Sequence, residues 1–176
     1  MILYLDFDGV LHPDDVVLDA CRRPYLRGPG ALFEHADYLD AVLSPYPQIA
    51  IVLSTSWVRV KSFSYARKRL PARLRQRVIG ATWHSHFARD EELLFWWLQR
   101  ASRYHQIASD VSRRQPAHWL AIDDDADGWP VLAQPHLIRS DPLLGMGAPD
   151  VRRQLEERLA AEASAHPKMT NFKSIL

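Results

Sequence analysis

MILYLDFDGVLHP, residues 1–13, runs four apolar residues, Ile2–Leu5, straight into Asp6, Phe7, Asp8 and Gly9. Two carboxylates at the end of a buried strand are costly unless a positive charge lies between them. The run is apolar on both faces rather than alternating, which is the pattern of a central parallel strand. The same grammar returns in QIAIVLSTSW, residues 48–57, where Ile49–Leu53 reads as a second buried strand. It returns again in HWLAIDDDADG, residues 118–128, where Trp119–Ile122 reads as a third. Each ends in polar residues. Val78–Ala81 and His136–Ile138 are shorter strand candidates.

Helical periodicity fills the intervals. ALFEHADYLDAVLSPYP, residues 31–47, places Leu32, Phe33, Ala36, Leu39, Val42 and Leu43 on one face and stops at Ser44-Pro45. RDEELLFWWLQRASRY, residues 89–104, reads as one helix with acidic residues in its first turn, where they suit the dipole, and arginines later. Trp96 and Trp97 fall at core spacing with Leu93 and Leu94 and read as packing. PDVRRQLEERLAAEASA, residues 149–165, is another helix, with Pro149 tolerated near its start. Strands alternating with helices predict an α/β fold, a three-layer sandwich around a mostly parallel sheet. A single domain over residues 1–165 is expected, followed by a loosely held tail at 166–176.

Composition narrows the function classes. At 176 residues with 47% hydrophobic content the chain can bury one sizeable core, and its net charge of +1 leaves any polyanionic partner to be decided by charge layout. Cys21 is the only cysteine, which excludes an internal disulfide framework and a cysteine-rich zinc site. The apolar start is cut by Asp6 and Asp8 too early for a signal segment, so a cytoplasmic location and no membrane partner are expected.

In open parallel sheets ligands sit beyond the carboxyl ends of the strands, so Asp6/Asp8, Ser54/Thr55 and Asp123/Asp124 should converge there. Carboxylates so gathered raise one another's pKa unless a cation neutralises them, and hard oxygen ligands favour Mg²⁺, which also accepts a phosphate oxygen. His12, His84 and His86 lack an accompanying ligand pattern and read as loop or rim residues.

LYLDFDGVLH, residues 3–12 with the preceding strand, resembles the first motif of the haloacid dehalogenase (HAD) superfamily. DFDGVLHP, IVLSTSW, RDEELLFWWL and LAIDDD, taken in order, resemble the HAD domain of Swiss Army knife RNA repair proteins over roughly residues 1–158. The resemblance implies a Rossmann-like HAD fold and a Mg²⁺-dependent phosphatase. It makes Asp6 the nucleophile that forms an aspartyl-phosphate, and Asp8 the acid and base. It implies Mg²⁺ held by Asp6 through its carboxylate and Asp8 through its carbonyl, with Asp124 as third ligand and Asp123 just behind; an Asp123/Asp127 pairing also fits the spacing. Ser54, then Thr55, is the implied phosphate-binding hydroxyl, although Ser54 is also placed to cap the next helix. The usual phosphate-neutralising lysine has no counterpart at the start of the helix before the acidic motif, where Arg89 stands and would clamp the phosphate with two parallel hydrogen bonds, while Lys61 and Lys68 follow the second motif too closely.

The intervals leave room for a short flap, VVLDACRRPYLRG, and for no large cap domain. An uncapped site suits a phosphate on the end of a macromolecule, with RNA or DNA ends as the first candidate. Residues 57–77 carry eight basic residues and no acidic one, a stripe able to track a phosphate backbone or to serve as a solvated helical face. A small-molecule nucleotide phosphatase and a catalytically weak phosphate-binding regulatory module are the alternatives.

Overall fold

The computed structural model describes residues 1–165, so the tail expected at 166–176 lies outside the described residues. In chain order, β1 (Ile2–Leu5) leads to an antiparallel hairpin of β2 (Val16–Leu18) and β3 (Pro24–Leu26), then α1 (Ala36–Leu43) and β4 (Ala50–Leu53). Three short helices follow: α2 (Ser56–Val60), α3 (Phe63–Arg69) and α4 (Ala72–Arg77). Next come β5 (Val78–Ala81), a 3-10 turn (Ser85–Arg89), α5 (Glu91–Gln99), α6 (Arg103–Arg114) and β6 (Trp119–Asp123). A second 3-10 turn (Val131–His136), β7 (Leu137–Arg139) and α7 (Pro149–Ala165) complete the order.

The main sheet has five strands in the order β5-β4-β1-β6-β7, all parallel. It is an α/β fold with helices on both faces, as the apolar strands predict, and no large cap is present among the described residues. Side chains alternate between faces along each strand. Leu3 and Leu5 of β1, Ile51 and Leu53 of β4, and Ile122 of β6 join a core with Leu39 and Leu43 of α1, Leu74 of α4 and Leu155 of α7. Ile2, Tyr4, Val52 and Ala121 face the other way, toward Ile107 of α6 and Trp129. β1 is therefore buried on both sides, which explains its unbroken apolar run.

Two expectations fail here. Residues 89–104 do not form one helix: α5 ends at Gln99, and Ser102 accepts a hydrogen bond from the His105 N–H to cap a new helix, α6. Its inward face carries a short apolar stripe, Tyr104, Ile107 and Val111, which the single helix expected over residues 89–104 obscures. Asp110 is buried on the same helix, receiving the Tyr4 hydroxyl at 3.0 Å and the guanidinium groups of Arg113 and Arg114. Of the two tryptophans expected to pack, Trp97 is buried against Trp83 and Phe87, whereas Trp96 is exposed.

Candidate active site

Strand register assembles the site. Leu5 pairs with Leu53 on one side and Ile122 on the other, so Ser54, Asp6 and Asp123 form the next row across three adjacent strands. The backbone ladder continues through that row, Ser54 N–H to Leu5 C=O at 2.8 Å and Asp6 N–H to Ile122 C=O at 3.2 Å. Alternation puts all three side chains on the α6 face, since Tyr4, Val52 and Ala121, two residues earlier, already point there. All three are buried.

Asp6, the first carboxylate of the opening motif, meets a cation supplied by the protein itself. Arg103, the first residue of α6, donates from Nη2 to Asp6 Oδ2 at 3.0 Å and sets Nε 3.0 Å from Asp123 Oδ2. The second approach is a charge contact without hydrogen-bond alignment, so among the described residues Asp123 Oδ2 and Arg103 Nε lack a hydrogen-bond partner. Asp6 Oδ1 accepts the Phe7 N–H at 2.7 Å. Burial outweighs the arginine: the Asp6 carboxyl is pushed up to about 6, with Asp8 adding to the rise. Burial and then the charge of Asp6 hold Asp123 well above the usual carboxylate range. Burial alone would lower Arg103, but the two carboxylates raise it overall, so the guanidinium stays charged.

Asp8 is turned elsewhere. The chain leaves the strand at Leu5 and bends through Gly9 at φ +66°, a left-handed position that suits glycine. The Asp8 carboxylate thereby meets Trp57, whose Nε1–H donates to Oδ1 at 2.9 Å and to Oδ2 at 3.0 Å. The Ser56 hydroxyl adds a longer contact at 3.4 Å. Buried His12 completes the set. Its Nδ1 accepts the Phe33 N–H at 3.3 Å, which places the ring proton on Nε2, 3.1 Å from Asp8 Oδ1. Phe7 and Phe33 pack edge-on against Trp57 and fix its indole.

Asp6, Asp123 and Asp124 each bring one carboxylate oxygen within 4.8 Å of the others, a cluster that could hold a metal ion. Three features fit a hard cation there: the unpartnered buried oxygen of Asp123, the all-carboxylate donor set, and the close approach of Asp124 to Gly9. A Cβ on Gly9 would lie 2.4 Å from the Asp124 carboxyl carbon, so glycine is what admits Asp124 to the cluster. Asp125 and Asp127 are spent on the turn: the Asp125 N–H donates to Asp123 Oδ1, and the Asp127 N–H to Asp125 Oδ1.

The hydroxyls divide. Thr55 caps α2 by accepting from the Trp57 N–H, whereas Ser54 Oγ is buried beside Asp6 with no partner among the described residues. Arg89, expected at the phosphate, stands exposed in the 3-10 turn, and the guanidinium against Asp6 belongs to Arg103. Sequence reasoning absorbed Arg103 into the tail of a supposed longer helix. His12 and Trp57 were likewise missed as partners of Asp8. The available signals were Ser102 at capping distance before Arg103 and the helical spacing of Tyr104, Ile107 and Val111 behind it.

The basic stretch is mostly structural. Arg77 donates to the carbonyls of Leu43, Tyr46 and Ile49, Arg67 and Arg75 donate to backbone carbonyls, and Arg73 pairs with Asp40 of α1. Those partners of Arg77 precede β4, at the end of the sheet opposite Ser54. The expected flap is the β2–β3 hairpin, fastened by Lys61, whose ammonium donates to the Arg22 carbonyl. No helix among the described residues is long and apolar enough to cross a membrane.

Comparison with known proteins agrees with this geometry. No curated protein and no solved structure gives a significant match. The family model described as the HAD domain in Swiss Army Knife RNA repair proteins matches residues 2–151. HAD domains are generally phosphatase-type hydrolases, and this family's setting is RNA repair. With that match spanning most of the chain, and with an Asp-x-Asp-Gly motif leaving the central strand of a parallel sheet, the chain belongs to the family of HAD domains found in Swiss Army Knife RNA repair proteins.

Proposed function

We propose that the chain is a Mg²⁺-dependent phosphomonoesterase that works through an aspartyl-phosphate on Asp6, with the phosphorylated ends of nucleic acid as its substrates. The observation that carries this reading is the row Ser54–Asp6–Asp123 spanned by Arg103, beside a separately held Asp8. Asp6 Oδ attacks phosphorus while the ester oxygen departs, taking a proton from Asp8. Asp8 then accepts a proton from the water that attacks phosphorus, the acyl-phosphate P–O bond breaks, and Asp6 is regenerated. Arg103 holds the nucleophile in place and offers positive charge to the phosphoryl oxygens, and the Ser54 hydroxyl offers one donor. Asp6, Asp124 and the Asp8 carbonyl would hold the Mg²⁺, with Asp123 adjoining; when bound, the ion offsets the negative charge of the phosphoryl group.

Asp8 suits its role because its carboxyl is held by neutral donors, away from the acidic cluster, where it can exchange a proton without unmaking the nucleophile's surroundings. Nucleic-acid ends are favoured by the family's RNA-repair setting and by the lack of a large cap among the described residues. A phosphate-binding module of low turnover is the second reading, favoured by the arginine already paired to Asp6. Phosphate release from end-phosphorylated oligonucleotides, nucleotides and sugar phosphates, with and without Mg²⁺, tests the proposal. The expected result is Mg²⁺-dependent release that falls to background in Asp6→Asn. Substantial activity in a folded Asp6→Asn protein would overturn the mechanism, and phosphate binding without turnover would establish the second reading.

A further inference from the structure

Beside Arg103, on the side away from the hairpin, lies a cavity of about 230 Å³. Thr55 and Ser56 line it where α2 begins, Thr82 and Trp83 where β5 ends, and Leu98 on α5; Arg59 and Asp125 supply charge. The volume is below the 300–1,000 Å³ of pockets that enclose a whole small ligand, so this one takes part of a larger molecule.

Its wall is aromatic: Trp97 is buried, 5.7 Å from Trp83 edge-on and 4.8 Å from Phe87. Trp83, partly buried beside Trp97, presents apolar surface to the cavity at the polar end of the sheet, next to the proposed phosphate site. On α5 the exposed side chains Phe95 and Leu98 are also apolar, although helices at a sheet's open end ordinarily turn polar residues outward.

We propose that this cavity receives the base of the nucleotide whose phosphate is cleaved, the base lying against Trp83 and Leu98 with its polar edge toward Arg59 and Thr82. The proposal rests on the reading of the Asp6 cluster as the phosphate site. A phosphoryl group at Asp6 meets Arg103, and Arg103 is shared by the cluster and the cavity, so a base joined through its sugar reaches the cavity without any change of fold. Stacking accepts any base, because every base has a π face, which suits an enzyme acting on ends of varied sequence.

The test compares trinucleotides phosphorylated at the 5′ or the 3′ end with counterparts that are abasic at the phosphorylated residue. Both turnover and binding are measured, the latter by tryptophan fluorescence. The base-bearing form of the preferred end should win by roughly 5–150-fold in kcat/KM and in affinity, the span that stacking one base on an aromatic side chain supplies. Trp83→Leu should erase that advantage and leave the abasic substrate unchanged, and Trp83→Phe should restore part of it. Leu98→Trp, at an exposed position that folding tolerates, should fill the cavity and erase the advantage as well. Equal handling of base-bearing and abasic ends overturns the base site while leaving the phosphatase standing. A base preference in binding without turnover of either form upholds the cavity and rejects the catalytic reading.

Discussion

Asp6 and Asp8 stand two residues apart and occupy unlike surroundings. Asp6 is buried on the α6 face, bound to a guanidinium that it shares with Asp123 and close to Asp124. Asp8 opens toward the hairpin and is held by an indole, an imidazole and a hydroxyl. The first arrangement sets a guanidinium against carboxyls that burial pushes up, which holds the attacking oxygen in place. The second uses hydrogen-bond donors on three side chains, which aim the carboxyl toward the hairpin side. One Asp-x-Asp pair thus yields a group fit to attack and a group fit to carry a proton, because Asp6 still sits in the row across the strands and the chain turns away after it.

Arg103→Ala should break that difference most severely. It leaves Asp6 and Asp123 as neighbouring buried carboxylates, and the rate should fall about 10²–10³-fold, the scale of losing one preorganised charge-stabilising donor. Stability should drop by about 3–5 kcal/mol, as when one partner of a buried pair is removed. Denaturant unfolding should show part of that loss recovered by Mg²⁺. Unchanged rate and stability would remove Arg103 from the site.

Asp124 and Asp127 sharpen the metal side. Asp124→Ala should raise the Mg²⁺ concentration for half-maximal activity by roughly 10–100-fold, at least the cost of losing an outer partner of a metal ligand. Asp127→Ala should shift it less than about 2-fold, because only the backbone of Asp127 is used, in a turn. Equal shifts would mean that the ion sits elsewhere in the acidic run.

A smaller effect probes the hairpin side. His12→Phe keeps a ring in the buried site but removes the donor to Asp8 and the acceptor for the Phe33 N–H. Hydrolysis of an alkyl phosphate, whose leaving oxygen needs a proton, should fall roughly 10-fold, a part of the 10²–10⁴-fold that a general acid contributes. Hydrolysis of p-nitrophenyl phosphate should change little. Equal losses on both esters would show that His12 supports only the fold.

The smallest effect is expected at the far end of the sheet. Arg73 is largely exposed and paired with Asp40, so Arg73→Ala should change stability by about 0–1 kcal/mol and leave KM for an oligonucleotide within about 2-fold. A marked rise in that KM, with a flattened salt dependence, would return the basic stretch to the substrate path.

The strands and the acidic residues at their ends were legible in the sequence, because a strand buried on both faces must be apolar throughout and can carry charge only where it leaves the core. Ile2–Leu5 before Asp6, and Trp119–Ile122 before Asp123, needed no more than that. Which partners meet those residues depended on tertiary structure. Arg103 reaches Asp6 across 97 positions because α6 begins at Ser102 and lies over the row that register had already assembled, and a lone arginine carries no local mark of that encounter. The arginines of residues 67–77 looked alike in sequence, yet folding gave most of them carbonyls or Asp40 as partners, because an unfilled backbone acceptor nearby claims a guanidinium before a distant ligand can. Side-chain type and period are local properties, whereas charge compensation is settled by distance in space, and only the folded chain fixes that distance.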